Sequence, residues 1–148
     1  KSHSLATAFS QALRIMANVE VVSVTEGGGV AVGEVLQQLR AEYGCDLAAL
    51  VGVDGLLIEA ATAEGLDAES VAANAVSGLL MMEALGRELQ ETAARQALIE
   101  FADHVVLVAP LGGDVALVLV ASGESNLGRL RLAVRRIRPR LEAEVAAL

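Results

Sequence analysis

The sequence predicts an α/β fold: an α/β/α sandwich built on a five-stranded antiparallel sheet, with the second helix on one face and the first and third on the other. Three observations predict it. Apolar residues recur at helical spacing in three segments, and five short apolar runs are joined by turn-forming residues. Residues 105–109 and 115–120 are apolar at every position, and an antiparallel strand with that pattern needs cover on both sides. The first and last helices each carry a single apolar stripe, so they share a face and leave the second helix alone on the other. The chain has 148 residues, 54% of them hydrophobic. One domain of this size buries roughly two-thirds of the surface its unfolded chain exposes, and two cores would be crowded.

Residues 5–17 read as a short helix and residues 19–24 as a strand, after which Thr25-Glu26-Gly27-Gly28-Gly29 ends regular structure. Residues 1–29 are therefore assigned to an N-terminal extension and Gly-rich linker, and residues 30–148 to the domain. Val32, Val35, Leu36, Leu39 and Tyr43 mark the first helix, closed by Gly44 as a left-handed cap. Residues 47–53 and 56–60 form a hairpin about Asp54-Gly55, a pair suited to the positive φ angles of a tight turn. A second helix starts at Asp67 as N-cap, with Glu69 at the positive end of its dipole, and runs to about Gln90. Strands follow at 97–101, 105–109 and 115–121, turning at Asp103-His104 and at Pro110-Leu111-Gly112-Gly113-Asp114. Asn126 caps the last helix, whose stripe is Leu127, Leu130, Val134, Ile137, Leu141, Val145 and Leu148; Pro139 predicts a kink or a restart within it.

Composition excludes several functions. The net charge of −8 opposes bulk attraction to nucleic acid or an anionic membrane, and with Phe9, Tyr43 and Phe101 as the only aromatics there is no stacking platform for single strands. No apolar run is long enough to insert in a membrane and no secretory signal pattern opens the sequence, which reads as a cytoplasmic protein. The single cysteine, Cys45, lies between Gly44 and Asp46 with no adjacent cation and reads as a buried or idle thiol. The only lysine, Lys1, is far from every glycine pair, so there is no phosphate-binding loop. His3 and His104 lack metal-ligand spacing, and His104 with Asp103 reads as a polar turn pair. Ser122-Gly123-Glu124-Ser125 reads as capping sequence for the last helix. No catalytic constellation, cofactor site or metal site is expected.

One stretch carries a functional expectation. Between Glu69 and Glu83 the second helix has no charged residue, over more than three turns at about 3.6 residues per turn, so it has no proper solvent face. One side rests on the sheet. The other is covered either by a second copy of the chain or by the N-terminal extension. In the first case Ala73, Ser77 and Gly78 permit close approach of two helices, and Val76, Leu80 and Met81 join the contact. A second feature is the last helix, where Arg129, Arg131, Arg135, Arg136, Arg138 and Arg140 supply six of the eleven basic residues. These form either a solvated rim balanced by Glu34 and Glu42 of the first helix, or a docking surface for an acidic partner centred on Arg129, Arg131, Arg135 and Arg136.

The element order, Asp54-Gly55 followed by Leu56-Leu57-Ile58-Glu59-Ala60, the alanine-rich helix from Asp67 to Met82, and Ser125-Asn126-Leu127-Gly128-Arg129-Leu130-Arg131 at the last helix together resemble the roadblock family, over residues 30–148. That family includes dynein-associated light chains and bacterial MglB-like proteins. The resemblance implies homodimerisation through the second helix and the strand near residues 97–101, which adds Leu98 and Ile99 to the interface. It also implies a non-catalytic regulator of a small Ras-like GTPase. The alternative is a dimeric scaffold or adaptor that recruits a larger complex without a GTPase.

Overall fold

The apolar segments become three helices and a sheet in the computed structural model, which describes residues 19–23 and 29–148. In chain order the elements are β1 (Val19–Ser23), α1 (Gly29–Tyr43), β2 (Cys45–Gly52), β3 (Leu57–Ala63), α2 (Ala68–Glu88), β4 (Ala97–Glu100), β5 (His104–Leu111), β6 (Val115–Ser122) and α3 (Leu127–Ala146). The helix expected at 5–17 and the linker at 25–28 lie outside the described residues. The five expected strands, β2 to β6, are all present and antiparallel. β1 joins them as a sixth, pairing antiparallel with β3 so that Val21 stands opposite Ala61, and the sheet order is β1-β3-β2-β6-β5-β4.

The strands that are apolar throughout have a separate core on each face. On one side Val32, Val35, Leu36 and Leu39 of α1 and Leu130, Val134 and Leu141 of α3 close over Leu50, Leu107, Leu117 and Leu119. On the other, Ala68, Ala72, Val76 and Leu79 of α2 close over Leu47, Val51, Val108, Val118 and Val120. The expected division of helices, two against one, is what the structure has.

Local chemistry sets the helix ends. Asp67 accepts from the Ser70 N–H at 3.1 Å and Asn126 from the Arg129 N–H at 2.9 Å, as their cap roles require. α2 ends in a Schellman motif, with Glu91 N–H on the Gly86 carbonyl, Gln90 N–H on the Arg87 carbonyl, and Gln90 itself at φ 59.

Three local expectations are corrected. The hairpin loop has three residues, Val53, Asp54 and Gly55: the Gly55 N–H reaches the Gly52 carbonyl, only Gly55 has positive φ, and the Leu56 N–H donates to Asp54 Oδ1 at 3.0 Å. This is a type I turn with a left-handed glycine, a form that leaves Val53 outside the ladder. α3 does not restart at Pro139, which lies within one continuous helix and faces solvent, so only one helical hydrogen bond is forfeited. His104 pairs with Asp46, at 3.7 Å from Nε2 to Oδ2, not with Asp103, because a register irregularity between Cys45 and Leu47 sets Asp46 apart from the regular ladder.

Two buried groups yield predictions. Glu59 on β3 is almost fully buried, its Oε1 so near Gly33 of α1 that a Cβ there would collide with it, and burial raises its carboxyl above the ordinary 4.5. The folded chain therefore keeps this proton to higher pH than the unfolded chain, so stability falls as pH rises from 4.5 to the folded value and stays lower beyond it. Glu59→Gln should remove that slope and stabilise the protein at neutral pH, read by urea unfolding across the acid range; an unchanged slope would contradict the assignment. Cys45 is buried at the start of β2, and its thiol is pushed up to about 11 by burial and by the Asp46 charge, with Arg40 partly opposing. Maleimide should label it only on unfolding, and rapid labelling of the native protein would contradict this.

Candidate functional site

α2 buries one row fully, Ala68, Ala72, Val76 and Leu79, in steps of three and four, with Val71 and Ala75 partly buried beside it. Beyond Leu79 no residue of α2 is buried. Leu80, Met81, Met82 and Leu85, and Leu89 at the cap, are exposed apolar side chains, and Met81 is 70% exposed. At the edge of the sheet β4 has four residues and pairs on one side only, with β5. Strand alternation puts Ala97 in the α2-side core and Leu98 against the opposite core, so Ile99 shares the α2 side and is half exposed; Phe101 follows at 59% exposure. An apolar helix end thus lies on the same side of the sheet as the exposed Ile99 of an open edge strand.

Toward its N-terminus the outward row of α2 changes character. Ser70, Asn74 and Ser77 line it, with the Asn74 amide donating to the Ser70 carbonyl at 2.9 Å and the Ser77 hydroxyl to the Ala73 carbonyl at 3.0 Å. These polar groups are satisfied by their own helix and present small surfaces.

The residues predicted for self-association are divided by the structure. Ser77, Leu80, Met81 and Ile99 are exposed, and Ala73 is half-buried with its Cβ 3.8 Å from the position of a Cβ on Gly55. Val76 is 1% exposed and spent on the chain's own core, and Leu98 packs on the far side of the sheet. Met82, Leu85, Leu89 and Phe101 were not anticipated. Leu85 and Leu89 follow Met81 at four-residue steps, a signal hidden by Glu83, which ends the uncharged run.

The arginines of α3 are divided as well. Arg129 donates to the Glu42 carbonyl at 3.1 Å, on the negative end of α1, and its guanidinium lies 5.1 Å from the centre of the Tyr43 ring. Arg138 donates to the carbonyls of Pro110 and Arg95 and pairs with Glu142, tying α3 to the end of β5 and to the segment before β4. Arg131, Arg135 and Arg136 are exposed. The carboxylates of Glu34 and Glu42 form no ion pair with any of them among the described residues; Glu42 meets α3 through its backbone oxygen, which accepts from Arg129. Also among the described residues, no cluster of histidine, cysteine or carboxylates is arranged to hold a metal, and no helix is long and apolar enough to cross a membrane.

Comparison with known proteins places this architecture. MglB of Myxococcus xanthus superposes with a TM-score of 0.74 at 22% identity, over 80% of this chain and 98% of that one. The gliding protein MglB of Thermus thermophilus gives 0.75 at 19%, over 86% and 97%. A Roadblock/LC7 domain from Streptomyces avermitilis gives 0.60 at 23%, over 73% and 95%. At such identities the likeness is one of fold. No curated protein matches the chain by sequence. The family model for the Roadblock/LC7 domain matches residues 31–121, from early α1 to near the end of β6, and with its helices and strands in the same order the chain belongs to the Roadblock/LC7 domain family.

Proposed function

We propose that this chain is a homodimeric, non-catalytic regulator of a small Ras-like GTPase, acting in the cytoplasm through the domain formed by residues 30–148. One observation carries the reading: on one side of the sheet the C-terminal half of α2 and the open edge strand β4 expose Leu80, Met81, Leu85, Ile99 and Phe101. An apolar surface of this extent on a folded domain marks an interaction site. A two-fold axis beside α2 sets these residues against their copies, and pairing of β4 with β4 makes two sheets continuous. Ser77 and Gly78 keep the helices close. The GTPase comes from what membership of the family implies, and similarity to MglB supports it. With no phosphate-binding loop of its own, the dimer acts on a partner's nucleotide by binding one conformation of the switch loops better than the other.

In sedimentation at about 0.5 M salt, where exposed ionic contacts are screened, the chain should have twice the 15.3 kDa mass of one copy. Met81→Asp puts an unpaired charge in the contact and should cost about 3–5 kcal/mol of association, giving folded monomer, since Met81 takes no part in the core. A variant of unchanged mass would contradict the interface. The purified dimer should change the rate of GTP hydrolysis or nucleotide exchange in a small GTPase of the source cell. If both rates are unchanged for every such GTPase and no complex forms in either nucleotide state, the scaffold reading replaces this one.

A further inference from the structure

The charges on α3 are not spread evenly. It holds six arginines and two glutamates, which leaves five basic residues against seventeen acidic ones elsewhere. Arg129 and Arg138 are engaged within the chain. Arg131, Arg135, Arg136 and Arg140 are exposed, without an ion partner among the described residues. Helical geometry sets Arg131 and Arg135 in one row and Arg136 and Arg140 in another, with Leu132, itself 43% exposed, between them. Arg131 lies in the second turn of α3, and the first turn supplies no acid to face it. Stability does not account for this face.

A groove of complementary chemistry lies at one end of the sheet, between the β2–β3 loop, the β5–β6 loop and the start of α2. It encloses about 700 Å³. The exposed apolar side chains Val53 and Leu56 line it, with Leu56 at 69% exposure, and Asp54, Glu69 and Asp114 stand around them. None of these carboxylates has an ion partner among the described residues. The rim is held in shape, because the Val53 N–H donates to the Asp114 carbonyl at 2.9 Å and Asp54 Oδ1 accepts from Leu56.

We propose that the arginine face of α3 docks in this groove on another copy of the chain. Leucine meets valine and leucine, and the flanking guanidiniums meet the three carboxylates. The groove cannot be filled by its own α3, which Leu130, Val134 and Leu141 fix to the sheet with the arginines facing away from it. The contact joins two different surfaces, so every copy offers one of each and the two halves of the contact can be tested separately. Its acidic residue on α2, Glu69, precedes Ser77, the first residue of the proposed dimer contact, by eight residues, about 12 Å along the helix.

Sedimentation velocity of the full chain tests this at about 0.02 M and about 0.5 M salt, since screening weakens exposed ionic contacts. At low salt the mass should exceed that of the high-salt particle, and Met81→Asp should keep this increment, which separates the result from the fate of the α2 interface. Arg131→Glu/Arg135→Glu/Arg136→Glu should lose it. So should Asp54→Asn/Glu69→Arg/Asp114→Asn, in which asparagine preserves the loop conformations. Mixing the two triple variants should restore an increment, because the second keeps the arginine face and the first keeps the carboxylate groove that receives it. A single mass at both salts, an increment that survives in either triple variant, or a mixture that recovers nothing would overturn the proposal.

Discussion

A sheet that is apolar on both faces must be covered on both, and among the described residues two helices lie on one face and a single helix on the other. That imbalance governs the rest of the molecule. α1 and α3 divide their face and leave it sealed, with the long arginine side chains at the rim. α2 must cover the opposite face alone and does so with four buried residues, two of them alanines that let it lie close to the strands. No residue of α2 beyond Leu79 is fully buried, and its leucines and methionines meet water. The proposed dimer is the completion of a layer that one copy leaves unfinished.

Features set by local chemistry were legible in the sequence. Asp67 and Asn126 announce helix starts because an N-cap needs only its own side chain and an amide three residues on. The two-sided cover of the sheet follows from residues 105–109 and 115–120, since an aliphatic run with no polar alternation has no side to offer water. Features set by distant pairing were not legible. Residues 19–24 read as a strand, yet nothing in them specifies β3 as the partner. The approach of His104 to Asp46 depends on an irregularity in the β2–β6 register, which leaves no mark on either residue's neighbours.

The candidate interface shows the same limit. α2 is uncharged from Ser70 to Met82, and its polar outward row, Ser70, Asn74 and Ser77, stops short of Met81, so charge patterning does not distinguish Val76, which is buried, from Met81, which is exposed. On β4 the two-residue alternation separates Leu98 from Ile99, but which of them faces α2 is settled only by the pairing with β5. The arginines were legible as a cluster and not as individuals. Two of them, Arg129 and Arg138, are fastened to carbonyls of their own chain, and the face left over is smaller and more sharply defined than composition implied.

The central claim is that the overhanging end of α2 and the open edge of β4 are sealed by a second copy. Amide hydrogen exchange of the full chain, followed on dilution, addresses it most directly. The account predicts that protection in residues 97–100 and 80–88 falls together as the concentration drops below that of dimer dissociation, while β2 and β6 remain protected. Protection of these segments that does not depend on concentration would contradict it.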